Sequence, residues 1–139
     1  MADTTISPNA KTLRRRAFEL ADAADACADP DSTALLLFYA AECGLQALYM
    51  TTYGLRDTND SNAAAVASRS FNHALERLVS ALKIQPSDVP KPSSMKLRNG
   101  SGVQVHHLHQ AWRYGEKVEA QADIVTWLRS IITYVRGKL

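Results

Sequence analysis

The chain has 139 residues, 46% of them hydrophobic and 22% charged, with a formal net charge of +2. That length suits one domain with a single core, the composition is that of an ordinary globular protein, and so small a net charge excludes arguing nucleic-acid binding from bulk charge. Two cysteines, Cys27 and Cys43, are too few for a disulfide framework and are expected as buried thiols in a reducing cytoplasm.

The start, MADTTISPNA, lacks the apolar core of a secretory signal. A first helix is predicted over residues 8–28, with Ser7 as N-cap and Pro8 in the first helical position. Leu13, Ala17, Leu20, Ala21 and Ala24 give it one apolar face. Arg14, Arg15 and Arg16 are consecutive, so they splay about 100° apart and form a solvated flank rather than a flat patch.

A second helix begins near Asp29-Pro30, with Asp31 or Asp29 as cap, and ends near Gly54. Residues 35–50, LLLFYAAECGLQALYM, are apolar on most of the circumference, so this helix should be central. The run is judged too short to span a bilayer, which takes about 20 apolar residues. Gly44 within it costs about 1 kcal/mol of helix propensity relative to Ala, which suggests that another helix approaches closely there. Glu42 raises a sharper question, because a lone ionised carboxylate in an apolar interior is costly unless paired. Either it faces solvent at an edge or it meets a cation, with Arg98 and Arg113 the candidates. Gln46, one turn on, extends the same polar seam.

FNHALERLVSALKI predicts a third helix, with Ser70 as cap and Leu75, Leu78, Val79 and Leu82 on one face. Three prolines and two glycines then make residues 85–102 a long loop. A fourth helix, VQVHHLHQAWRY, is stopped by Gly115. The fifth is predicted over residues 116–136, with Val118, Ala122, Val125, Leu128, Ile132 and Val135 as its stripe, Trp127 and Ile131 widening it, and Gly137 as its end. These elements predict an all-α, antiparallel up-and-down bundle of four to five helices in a single domain.

Charge is uneven along the chain. Residues 1–82 carry 7 basic and 10 acidic side chains, a net of −3, and residues 83–139 carry 9 and 4, a net of +5. The basic second half can attract an anionic partner. Lys96, Arg98, Asn99, Arg113 and Lys117 are the candidates to hold such a partner. A fourth helix of about 12 residues would be about 18 Å long and would hold its two flanking turns apart. A continuous basic groove, collecting His106 and His107, is therefore expected across a homodimer.

The sequence has no P-loop, GxGxxG, HExxH or paired-cysteine zinc motif. His106 and His109 stand three apart and can share a face, but no acid or cysteine lies nearby in sequence to complete a metal set. No metal and no cofactor are expected.

Three fragments, in order, resemble the HEPN superfamily of small helical domains. FYAAECGLQALY is similar to its second-helix signature. FNHALERLVSAL, with His73, is similar to the following helix, and WRYGEKVE resembles the Arg-Tyr turn before the last helix. The resemblance implies a HEPN-like helical fold and a homodimer. It also implies a protein of a prokaryotic defence or toxin–antitoxin system that binds RNA, a protein partner or an antitoxin; Lys96, Arg98, Asn99, Arg113 and Lys117 are then its RNA-binding residues, and single-stranded RNA the ligand of the groove. Glu42, Gln46 and His73 are then structural polar residues. The start without a signal core and the short apolar run give the expectation of a soluble, cytoplasmic, membrane-free protein. The superfamily also contains metal-independent ribonucleases marked by an Arg, usually followed by a polar residue, then four to six residues and a His. Here Arg98-Asn99 is the start of such a motif, but seven residues separate Arg98 from His106, eight separate it from His107, and three separate Arg69 from His73. The alternative reading is an endoribonuclease using Arg98 with His106 or His107. Histidine would move the 2′-hydroxyl proton near neutral pH, and arginine would stabilise the growing phosphate charge without a metal.

Overall fold

The computed structural model describes residues 8–57 and 73–139. Among them are five α-helices: α1 Ala10–Ala26, α2 Pro30–Tyr53, α3 Leu75–Ala81, α4 Leu108–Arg113 and α5 Gln121–Lys138. A 3-10 turn, Val105–His107, runs into α4. No strand is present among the described residues, only the isolated bridges Lys96↔Gly102 and Leu97↔Val118.

Local chemistry sets the ends of α1 and α2. Asn9, not Ser7, caps α1: its side chain accepts from the Thr12 amide at 2.9 Å. Asparagine and serine cap about equally well, so the start moves two residues inward; Ser7 itself lies outside the described residues. Asp29 caps α2 by accepting from the Ser32 amide at 2.9 Å, with Pro30 in the first turn. At the far end Gly54 takes φ +64, a left-handed conformation open to glycine, and Leu55 donates back to the Met50 carbonyl.

The middle of the chain starts its helix later than expected. Ser70 and Phe71 lie outside the described residues, and α3 begins only at Leu75 because His73 sits at φ +67. Lys83 ends α3 in the left-handed region, with Lys83 N–H on the Ser80 carbonyl and Ile84 N–H on the Val79 carbonyl. That is a Schellman cap with lysine where glycine is the usual residue.

Helix α2 is central. Leu37, Phe38, Ala40, Ala41 and Leu45 are fully buried, and α1, α3, α4 and α5 all pack on it. A Cβ on Gly44 would stand 3.1 Å from Val135 Cγ1, so the glycine marks the close crossing with α5. By length and composition α2 is long and apolar enough to cross a membrane, which corrects the expectation that the run is too short. In this fold its apolar surface is taken up by the other helices.

The antiparallel expectation holds for only part of the bundle. Asp25 pairs with Arg129 and Asp22 with Arg136, so α1 and α5 run in opposite senses. Along α2 the order is different: Asp31 meets Lys117, Leu37 shares a small cleft with Arg129 and Ile132, and Gly44 meets Val135. Helices α2 and α5 therefore run in the same sense. The long stretch between Gly54 and Gln121, with only short helices among its described residues, returns the chain to the start of α2. The last helix also begins later than expected. Ala120 at φ +52 keeps residues 116–120 out of the helix, so Val118 is buried outside it; Trp127, Leu128, Ile131, Ile132 and Val135 are buried as expected, Ile124 joins them, Ala122 is exposed and Val125 only half-buried. Gly137 does not end α5, which continues to Lys138.

Candidate functional site

Glu42 finds its partner in His73, not in Arg98 or Arg113. His73 Nδ1 lies 2.7 Å from Glu42 Oε2, and the side chains keep 37% and 17% of their exposure, respectively. The left-handed backbone at His73 turns the ring back onto α2, at a cost of about 1–2 kcal/mol for a residue with a Cβ. Burial pushes the Glu42 carboxyl above its usual range, and His73 pulls against that shift. One residue on, burial raises the Cys43 thiol to about 11, with the Glu42 charge adding to it. Both cysteines are free and half-buried. Gln46 is also half-buried, one turn beyond Glu42.

His73 leads to a second histidine. Its ring centroid stands 4.3 Å from that of His109, which is 5% exposed and also packs on Phe38 and Tyr39. Nδ1 of His109 has no hydrogen-bonding partner among the described residues. Burial, followed by the charges of His73 and Arg113, drives its pKa down to about 4, so this ring is neutral at physiological pH. Arg113, one turn on in α4, donates to Tyr39 Oη at 2.8 Å. Tyr39 and Glu42 are three apart on α2, so one helix face carries the whole chain of contacts from Glu42 to Arg113.

The basic residues gather by a route that helix periodicity does not reveal. Segment 95–103 folds back on itself, with Leu97 N–H on the Ser101 carbonyl and Val103 N–H on the Met95 carbonyl. The Asn99 side chain accepts from the Ser101 amide at 2.9 Å, so Asn99 shapes this turn. Arg98 N–H then donates to the Lys117 carbonyl, and Glu119 N–H to the Lys96 carbonyl, both at 2.8 Å. At the bridge Leu97 is half-buried and Val118 buried. By strand alternation Lys96, Arg98, Lys117 and Glu119 point to the opposite, outward side.

Two expectations are corrected here. The fourth helix is not about 12 residues long: 3-10 turn and helix together cover nine residues, 105–113. Its two flanking turns are not held apart but hydrogen-bonded to each other within one chain, so the basic surface needs no second subunit to be continuous.

Lys96 and Arg98 are exposed and have no ion pair among the described residues. Lys117 is partly engaged, 3.2 Å from Asp31 at the start of α2. The rings of His106 and His107 lie 4.0 Å apart, tilted by 54°, in the 3-10 turn, and no hydrogen bond or ion pair joins either to Arg98. Among the described residues no three of His, Cys, Asp or Glu group as a metal site.

Sequence reasoning named His73, Glu42 and Arg113 but missed their partners, and it missed Tyr39 altogether. The signal for Tyr39 was its place three residues before Glu42 on the same face. Comparison of the chain with family models, with curated proteins and with solved structures finds no match in any of the three.

Proposed function

We propose that this chain is a HEPN-like helical protein that binds RNA through the outward strip of Lys96, Arg98 and Lys117, with Arg113 at its margin. The observation that carries this reading is the Leu97–Val118 bridge, which turns cations distant in sequence to one side of one surface. The residues 96–119 that form it carry four cations and two carboxylates, Glu116 and Glu119, a net of +2. Two of the cations, Lys96 and Arg98, have no ion pair among the described residues and are placed to meet phosphate oxygens. The HEPN assignment rests on the three sequence fragments, two of which supply Glu42 and His73. Membership of a defence or toxin–antitoxin system, in the cytoplasm, is part of the same proposal. The test is fluorescence anisotropy with labelled RNA at low salt. Wild type should bind, and Lys96→Ala with Arg98→Ala should weaken binding without shifting the melting temperature. Equal binding by the variant would reject the strip.

A second reading, metal-independent cleavage of the bound RNA, is favoured by one observation. The Glu42–His73 pair is short and His73 remains a third exposed, so a carboxylate orients an imidazole that can reach a substrate proton. On this reading His73 replaces His106 and His107 as the proton-transfer group. Incubation with total RNA in EDTA tests it: cleavage that disappears in His73→Ala supports it, and intact RNA rejects it.

A further inference from the structure

Two large apolar side chains are exposed among the described residues, Tyr53 at 42% and Tyr114 at 71%. Tyr53 is committed to the fold: its hydroxyl donates to the Ala81 carbonyl at 3.2 Å, and its ring lies 4.6 Å from that of Tyr49. Tyr114 has no such role. Its side chain meets Arg113, whose guanidinium lies 6.0 Å from the ring centroid and also bonds the Tyr114 hydroxyl. The backbone beneath it is firmly held, with Tyr114 N–H on the Gln110 carbonyl, Gly115 N–H on Trp112 and Glu116 N–H on Ala111. Gly115 supplies the left-handed φ of +77 that the turn needs. Arg113 is itself fixed by Tyr39. An aromatic face is thus presented to solvent on a rigid turn, beside a cation that Tyr39 holds in place.

Their position gives the occupant. Tyr114 is three residues from Lys117, at most about 11 Å along the chain, and Lys117 is hydrogen-bonded to Arg98. An exposed ring beside a row of cations is the arrangement that takes an unpaired base on the ring while the cations follow the phosphates. A base inside a duplex is already stacked and offers no free face, so the ring distinguishes single strands from double strands.

Building on the RNA-binding reading above, we propose that Tyr114, backed by Arg113, is a base-stacking platform that makes the surface selective for single-stranded RNA. The experiment measures the affinity of wild type, Tyr114→Ala and Tyr114→Phe for a short oligouridine and for an RNA duplex of equal length, across a salt series. Tyr114→Ala should lose about tenfold in affinity for the single strand. Tyr114→Phe should keep it, since a ring is all that is required. Duplex affinity and the salt slope should not move, because stacking releases no counterions. Single-strand affinity unchanged in Tyr114→Ala, or single-strand and duplex affinity lost together, overturns the platform while leaving the basic strip standing. Failure of wild type to bind either RNA overturns both.

Discussion

His109 is the residue held furthest from its solution state. A base whose folded pKa is depressed leaves the unfolded chain binding more protons over the window between the two values. Here the window runs from 6.5 down to about 4, so stability is complete above it and falls as pH drops through it. His109→Phe, which suits the contact with Phe38, removes this term. The variant should lose about 2–3 kcal/mol less than wild type between pH 7.5 and pH 4.5, as measured by urea unfolding at both pH values; parallel losses would contradict it. His73 allows a second check. His73→Ala and His73→Gly both break the pair with Glu42, but only glycine relieves the backbone at φ +67. The glycine variant should be the more stable by about 1 kcal/mol, and equal stabilities would show the backbone to be unstrained. At this scale the sequence exposed the problem of Glu42 but not its solution. An acid in an apolar run demands a partner, yet the partner stands 31 residues away on a left-handed residue inside a helical-looking fragment. No periodicity marks such a position.

At the scale of elements, the α2–α5 crossing turns on one missing side chain. Gly44→Leu should destabilise by about 1–3 kcal/mol through overpacking, and Val135→Ala in the same chain should recover part of that loss. Additive losses in chemical unfolding would mean the two positions do not meet. The central helix, its end at Gly54 and the meaning of Gly44 were legible, because all-round apolarity and a terminal glycine are local signals; the start was narrowed only to Asp29 or Asp31, two acids equally able to cap. The fourth helix was overdrawn because the histidines continue a helical pattern that the 3-10 turn interrupts at Val105–His107. The bridge from Leu97 to Val118 was invisible for a different reason. A single paired residue on each side has no alternation to read.

For the whole molecule, the two senses of helix follow from the long return between α2 and α5, which brings the turn at Lys117 back to Asp31 and closes the basic strip within one chain. The bundle was legible from the sequence as all-α; the shared direction of α2 and α5 was not, because connection length constrains neighbours only when it is short. The central claim, that this strip reads the phosphate backbone of RNA, is tested most directly by the salt dependence of binding. For single-stranded RNA the slope of log K against log salt should flatten by about 1.4 in the Lys96→Ala, Arg98→Ala variant, about 0.7 for each phosphate contact removed. A slope identical to that of wild type, or no binding by wild type at low salt, would contradict it.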